Sequence, residues 1–119
     1  TYAYNHAPLF ESIIRHLEAD GVFVREAGEE HIWRFMGAPK HSTNADFSRL
    51  IYLIFSEIIH PQKSQTEDNA KLVPWRLVRS VFLDKHGNTF KESVRTQWQY
   101  EGKNDAKTDF WRNKIASLL

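Results

Sequence analysis

Residues 43–61 have the sequence TNADFSRLIYLIFSEIIHP, the densest run of apolar residues in the chain. Thr43 and Asp46 have the spacing of a capping box at the start of a helix. The apolar side chains that follow recur mainly at intervals of three and four, as they do in helices. They are Phe47, Leu50, Ile51, Ile54, Phe55 and Ile58, with Leu53 and Ile59 off that stripe. A helix that is apolar on most of its circumference must be covered on several sides, so the pattern predicts a buried central helix over about 43–60, ended by Pro61.

The composition places this helix in a small domain. The central run is interrupted by charged and hydroxyl side chains, and it is shorter than the about 20 apolar residues that span a bilayer. A length of 119 residues favours one domain, 1–119, with a real hydrophobic core. The chain has no cysteine and no signal peptide, which favours a cytoplasmic location. It begins at Thr1 rather than Met, which is consistent with a domain excised from a longer protein.

The start of the chain has the pattern of an amphipathic helix over 8–20. Pro8 suits the first position of a helix, and apolar residues follow at spacings of three and four. These residues are Phe10, Ile13, Ile14 and Leu17. Gly21 is a typical left-handed stop.

Residues 22–36 allow two interpretations. Val22 to Val24 is short, β-branched and aromatic, and a second strand over 31–36 would complete a small hairpin. Alternatively, 29–36 is a short helix with two acidic residues at its positive end and Gly37 after it. We prefer the helix, because Ile32, Phe35 and Met36 have helical spacing and the segment does not alternate apolar with polar residues.

The second half of the chain adds further predicted helices. After a polar connector over 60–68, a helix over 69–82 either starts afresh at Pro74 or is kinked there. A turn follows over 84–88. Thr89 and Glu92 form a capping box before a helix over 90–100. Asn104 or Asp105 caps the last helix, whose apolar side is Phe110, Trp111, Ile115, Leu118 and Leu119. The sequence therefore predicts an all-α domain of five or six helices, with one small hairpin as the alternative at 22–36.

The sequence offers no recognisable catalytic or metal-binding motif. Glu57 and His60 form a single E-x-x-H pair, whereas di-iron bundles carry two such pairs and two further glutamates. The chain has no G-x-S-x-G motif, and its five glycines form no phosphate loop. We therefore expect no catalytic residues, no metal, no cofactor and no enzymatic activity.

The charges are unevenly divided along the chain. Residues 1–70 carry six Lys/Arg and ten Asp/Glu, a balance of minus four, whereas residues 71–119 carry ten and five, a balance of plus five. A basic half of this kind could bind a polyanion. The simpler interpretation is an ordinary solvated surface on which the charges of the two halves offset each other.

Five side chains on two predicted helices and the turn between them are the candidate nucleic-acid-binding residues. They are Arg76, Arg79, Lys85, Lys91 and Arg95. Two consecutive helices with basic outer faces can lie along a phosphate backbone, so double-stranded DNA is the leading partner and an acidic protein the next.

A protein-interaction or structural module is the alternative function. An exposed apolar patch of several hundred Å² that includes Trp33, Trp75 or Trp98 would favour it.

Three stretches resemble the helical RteC-type proteins, and related proteins, of conjugative transposons in gut bacteria. They are Leu50-Ile51-Tyr52 in the central helix, the run from Phe82 to Phe90, and Phe110-Trp111 ahead of Leu118. The family's tryptophan before the central helix has no clear counterpart in the polar stretch 40–44. The resemblance implies a helical, DNA-associated regulatory protein of a mobile element, with no catalytic residues to carry over.

Overall fold

The central helix begins at the predicted capping box. A computed structural model of the chain describes residues 2–29, 31–59, 73–97 and 105–117. Helix α2 spans Asn44–Leu53 and continues as a π-helical segment over Ile54–Ile59. Thr43 Oγ1 accepts a hydrogen bond from the Asp46 amide at 3.1 Å, and Asp46 Oδ2 accepts one from the Thr43 amide at 3.1 Å. The capping box is therefore confirmed, whereas the predicted stop at His60 and Pro61 lies outside the described residues.

The predicted central position of this helix is also confirmed. Its apolar side chains form the middle of the hydrophobic core, and the π-helical segment continues the same buried surface. The buried members are Phe47, Leu50, Ile51, Leu53, Ile54, Phe55 and Ile59. The apolar pattern did not indicate the π-helical turns, because it fits any helix that is covered on most sides.

The carboxylate of Asp46 is fully buried and joins distant parts of the chain. Besides its capping role, its Oδ1 atom accepts a hydrogen bond from Trp111 Nε1 at 3.1 Å. Arg49 Nη1 and His41 Nδ1 each lie 3.8 Å from the same oxygen. One side chain therefore fixes the start of α2 and the position of the last helix.

Helix α1 spans Tyr2–Ala19, so the predicted start at Pro8 is wrong. Pro8 lies inside the helix, where it removes one backbone donor without ending the helix. Ile13, Ile14 and Leu17 are buried as the amphipathic pattern predicts. Gly21 follows the helix with φ 82°, the left-handed conformation expected of a glycine stop.

The all-α prediction is wrong, because the chain forms a three-stranded mixed sheet beside its helices. Strand β1, Phe23–Arg25, pairs antiparallel with β2, Trp33–Phe35. Strand β3, Phe82–Leu83, pairs parallel with β2, so that Trp33 lies opposite Phe82. The fold is therefore a mixture of α and β structure.

The preferred helix over 29–36 is also wrong, and the alternative hairpin is correct. Trp33 and Phe35 are buried, whereas Arg34 between them is only half-buried. The residues on the outer face of the strand include the apolar Ile32 and Met36, of which Met36 is 40% exposed. Because these apolar residues face outward, they hid the two-residue period that marks a strand.

The connector predicted over 60–68 and the first residues of the helix predicted over 69–82, 69–72, lie outside the described residues. Helix α3 spans Trp75–Val81 with Pro74 as its N-cap, which agrees with a fresh start at the proline rather than a kink. Phe82 leaves the helix with extended backbone angles and enters β3. Its ring lies 5.1 Å from that of Phe23 and 5.5 Å from that of Phe47, so core packing favours the strand over another helical turn.

Within the described residues, the predicted helix over 90–100 takes the form of a 3-10 helix over Glu92–Thr96, followed by Gln97 in helical conformation. Its N-cap is Lys91 and not Thr89, and Lys91 makes no side-chain cap hydrogen bond. Thr89 is engaged in an antiparallel β-bridge with Leu83, so it cannot cap the helix. Residues 98–100 lie outside the described part of the chain.

The last helix, α4, spans Asp105–Ala116 and packs against α2. Trp111 and Ile115 are buried as predicted, and Phe110 packs against the edge of the core. Asn104, Leu118 and Leu119 lie outside the described residues. Among the described helices, none combines the length and hydropathy that crossing a bilayer requires.

Replacing Ile54 with alanine tests the central position of α2 and of the π-helical segment that continues it. The side chain is fully buried, so Ile54→Ala should lower the free energy of unfolding by about 2–5 kcal/mol through lost burial and a residual cavity. Leu77→Ala is the matched control, because Leu77 is 45% exposed, and should change stability by less than about 0.5 kcal/mol. Urea denaturation followed by tryptophan fluorescence measures both. Equal, small effects would mean that α2 is not the core of the domain.

Candidate nucleic-acid interface

The turn between the two predicted basic helices is tightly built. Asp84 Oδ1 accepts hydrogen bonds from the amides of His86 at 2.9 Å and Asn88 at 3.0 Å. The Gly87 amide donates to the Asp84 carbonyl at 2.9 Å, and Gly87 has φ 84°. An aspartate that binds the backbone of its own turn fixes the loop conformation. Lys85 is therefore presented, exposed, from an ordered turn.

Arg79 connects α3 to the chain after this turn. Its Nε donates a hydrogen bond to the carbonyl of Phe90 at 3.0 Å, and the side chain is partly buried. Phe90 is held in turn by its ring, which stacks on Phe47 with 4.1 Å between centroids and 5° between planes. The bond places the C-terminal part of α3 beside Lys91, the residue after Phe90. Arg79 is thus a structural link as well as a cation.

The remaining candidates are more exposed. Arg76, one helical turn before Arg79, is exposed, and so is Lys91. Arg95 Nη1 lies 3.7 Å from Glu92 Oε1, and both side chains are largely in solvent. An exposed pair of this kind contributes about 0–1 kcal/mol.

The local charge balance is basic. Residues 75–97 contain the five candidate Lys/Arg side chains and two acidic ones, Asp84 and Glu92, a balance of plus three. The structure brings Arg79 and Lys91 together through the Phe90 carbonyl, and it places Lys85 on the turn between their elements. We refer to Arg76, Arg79, Lys85, Lys91 and Arg95 together as the basic face.

Arg34 is a basic residue at this site that the sequence interpretation missed. Its guanidinium forms two hydrogen bonds to the Glu26 carboxylate, at 3.2 Å from Nε and 2.8 Å from Nη2. It also lies against Gly87, where a Cβ atom would be 2.8 Å from Nη2. Arg34 therefore supports the turn that carries Lys85. The hairpin interpretation could have indicated this role of Arg34, because in a strand Arg34 faces away from the buried Trp33 and Phe35.

A cleft of about 530 Å³ lies between the start of α2 and the chain from Asp84 to Gln97. Its lining is mainly polar, with carboxamides, hydroxyls, one carboxylate and one ammonium group, and with apolar side chains among them. The lining residues are Asn44, Asp84, Asn88, Thr89, Phe90, Lys91, Ser93, Val94 and Gln97. The sequence did not indicate this cleft, because Asn44 and the other lining residues are far apart in the chain.

Glu57, the glutamate of the E-x-x-H pair on the central helix, forms an ion pair with Arg112 of α4. Both carboxylate oxygens of Glu57 accept hydrogen bonds from Arg112 Nε, at 3.0 and 2.9 Å. This hydrogen bonding, together with the nearby negative charges of Glu57 and Asp109, raises the pKa of the Arg112 guanidinium above its usual value. His60 lies outside the described residues, and among those that are described no three His, Cys, Asp or Glu side chains form a metal-binding group.

The tryptophans singled out for a protein-interaction surface lie mostly in the core. Trp33 is 5% exposed and Trp75 is 7% exposed. Trp98 lies outside the described residues. Two of the three therefore do not contribute to an exposed apolar patch.

Comparison of the chain with protein-family models, with curated proteins and with solved structures gives no significant match.

Two glycine substitutions test the support that Arg34 gives to the turn. Gly28 and Gly87 both have a positive φ, 80° and 84°, but a Cβ atom at Gly28 meets nothing within 4 Å. Gly28→Ala should therefore lower the free energy of unfolding only by the strain of a left-handed backbone at alanine, about 1–2 kcal/mol. Gly87→Ala should cost a small amount more, because the end of the flexible Arg34 side chain must shift and disturb its bonds to Glu26.

The double variant Arg34→Ala/Gly87→Ala separates the cost of backbone strain at Gly87 from the cost of the contact with Arg34. If Arg34 lies against Gly87, the excess cost of Gly87→Ala over Gly28→Ala disappears in the Arg34→Ala background. Thermal denaturation of the single and double variants measures this coupling. An excess that persists without Arg34 would refute the contact.

Proposed function

We propose that this chain is a non-enzymatic DNA-binding domain whose basic face contacts the phosphates of double-stranded DNA. The hydrogen bond from Arg79 to the Phe90 carbonyl is the observation that carries the proposal. It joins α3 to the segment that begins with Lys91, which supports assigning cations from both elements to one surface. Lys85 adds a third position from the rigid turn between them.

The acidic residues of this surface do not cancel its charge. Asp84 uses Oδ1 for two backbone amides of the turn, and Glu92 Oε1 lies 3.7 Å from Arg95 Nη1. Phosphate oxygens form stronger, charge-assisted hydrogen bonds with arginine than an exposed carboxylate at that distance does. The net positive charge of the segment therefore favours a polyanion.

A regulatory or accessory role in a bacterial mobile element belongs to the same proposal. It rests on the resemblance of the Leu50–Tyr52, Phe82–Phe90 and Phe110-Trp111 stretches to the RteC-type proteins. A cytoplasmic location accompanies it, since DNA is accessible there and the chain has no cysteine.

An acidic protein is the second candidate partner, and Leu77 is the residue that favours it. Leu77 lies next to Arg76 on α3 and is 45% exposed. Apolar side chains beside arginine are typical of protein interfaces. Leu77→Ser should weaken binding to such a protein and leave DNA binding unchanged.

The dependence of DNA binding on salt tests the proposal. Four exposed cations, Arg76, Lys85, Lys91 and Arg95, would release about four counterions, which gives a slope of log K against log salt of about −3 to −4. Replacing any one of them with glutamine should lower the affinity at low salt and reduce the magnitude of the slope by about 0.9. Fluorescence anisotropy with a short labelled duplex measures both quantities.

Arg15→Gln is the matched control, because it removes the same charge from an exposed arginine of α1. It should leave the slope unchanged. The proposal fails if the wild-type chain shows no salt-dependent binding at low ionic strength. It also fails if Arg15→Gln reduces the slope as much as the four substitutions on the basic face.

A further inference from the structure

The cleft beside the basic face has walls of two kinds. Phe90 and Val94 are buried, and Phe90 stacks on Phe47, so this part of the wall belongs to the core and cannot move freely. Asn44, Asn88 and Gln97 are among the lining residues, and a carboxamide both donates and accepts hydrogen bonds. A polar cleft that is backed by the core and has several amide residues around it suits a polar, heterocyclic ligand.

Two charged groups complete the lining. Lys91 belongs both to the cleft and to the basic face, so a ligand in the cleft lies beside the surface proposed to bind phosphates. Asp84 contributes a carboxylate, and within the described part of the chain its hydrogen bonds use Oδ1 alone. Oδ2 is therefore available to accept a hydrogen bond from a ligand.

We infer that this cleft binds one unpaired nucleobase that carries an exocyclic amino group, while the adjoining phosphates contact the basic face. A carboxylate accepts from the amino group of cytosine, and carboxamides pair with adenine, whereas thymine presents a carbonyl in place of the amino group. In a duplex this amino group is reached only at the edge of a stacked base in the major groove, whereas a base must be unpaired and unstacked to enter a cleft, as in single strands and bulges. This inference rests on the proposed function, and it adds a preference for unpaired strands and for particular bases.

The test compares labelled oligo-dC, oligo-dT and a duplex of equal length by fluorescence anisotropy. The measurement is made at one salt concentration and at slightly alkaline pH, where cytosine is unprotonated. Oligo-dC should bind more tightly than oligo-dT by about fivefold to a hundredfold, the ratio that one good base contact supplies. The ratio of the two affinities is the readout, since the shared phosphate contribution cancels.

Asp84→Asn is the informative variant. Asparagine can hold the same turn through its own Oδ1, but its second terminal atom is an amide donor rather than an acceptor. The preference for oligo-dC should therefore be lost or reversed toward oligo-dT. Gln97→Met, which keeps the side-chain length and lies outside the turn, should weaken oligo-dC binding and leave duplex binding unchanged. Circular dichroism and melting temperature show that both variants remain folded.

The outcomes separate this inference from the proposed function. Equal binding of oligo-dC and oligo-dT, or a dC preference that survives Asp84→Asn, overturns the base-binding cleft. If duplex binding keeps its salt dependence in that case, the proposed function stands. Failure of all three DNAs to bind at low salt overturns both.

Discussion

The buried carboxylate of Asp46 is the constraint on which the arrangement of the helices depends. A carboxylate removed from water costs several kcal/mol unless it is paired and hydrogen-bonded. Its partners here are Thr43 at the helix start, Arg49 on the next turn, and Trp111 from α4, whose Nε1 lies 3.1 Å away. The same carboxylate therefore links the start of α2 to the docking of α4. The next residue, Phe47, joins the same helix to the sheet and, through its stack with Phe90, to the segment that carries the basic face.

Features that depend on neighbours in the chain could be predicted from the sequence. The capping box of Thr43 and Asp46 needs only a three-residue spacing, and the burial of α2 follows from its apolar circumference. The strands could not be predicted in this way. Phe82 ends a helical pattern, and it becomes a strand residue because Trp33, far away in the sequence, supplies its pairing partner. Tertiary contacts of that kind override local propensity, and they made an all-α interpretation wrong.

The site shows the same division between local and distant information. Basic residues are visible in any sequence, so the charges of the basic face could be proposed from the chain alone. Their individual roles could not, because the bond from Arg79 to the Phe90 carbonyl depends on how α3 packs. The supporting role of Arg34 depends on the hairpin, and the cleft depends on the approach of Asn44 to the chain after Asp84. The sequence showed only that the second half of the chain is basic. The proposed function concerns the basic face beside the polar cleft, which the structure defines more narrowly.

The central claim is that α3, the turn and the 3-10 helix form one DNA-contacting surface held on a core centred on α2. Backbone amide NMR of the isotope-labelled chain during titration with a DNA duplex at low salt tests it most directly. The account predicts that the shifted signals fall mainly between Arg76 and Gln97 and return to their free positions when salt is added. Signals of the exposed side of α1, around Arg15, should remain unchanged. Shifts centred on α1 or on the β1–β2 hairpin, with those of residues 76–97 unmoved, would contradict the account.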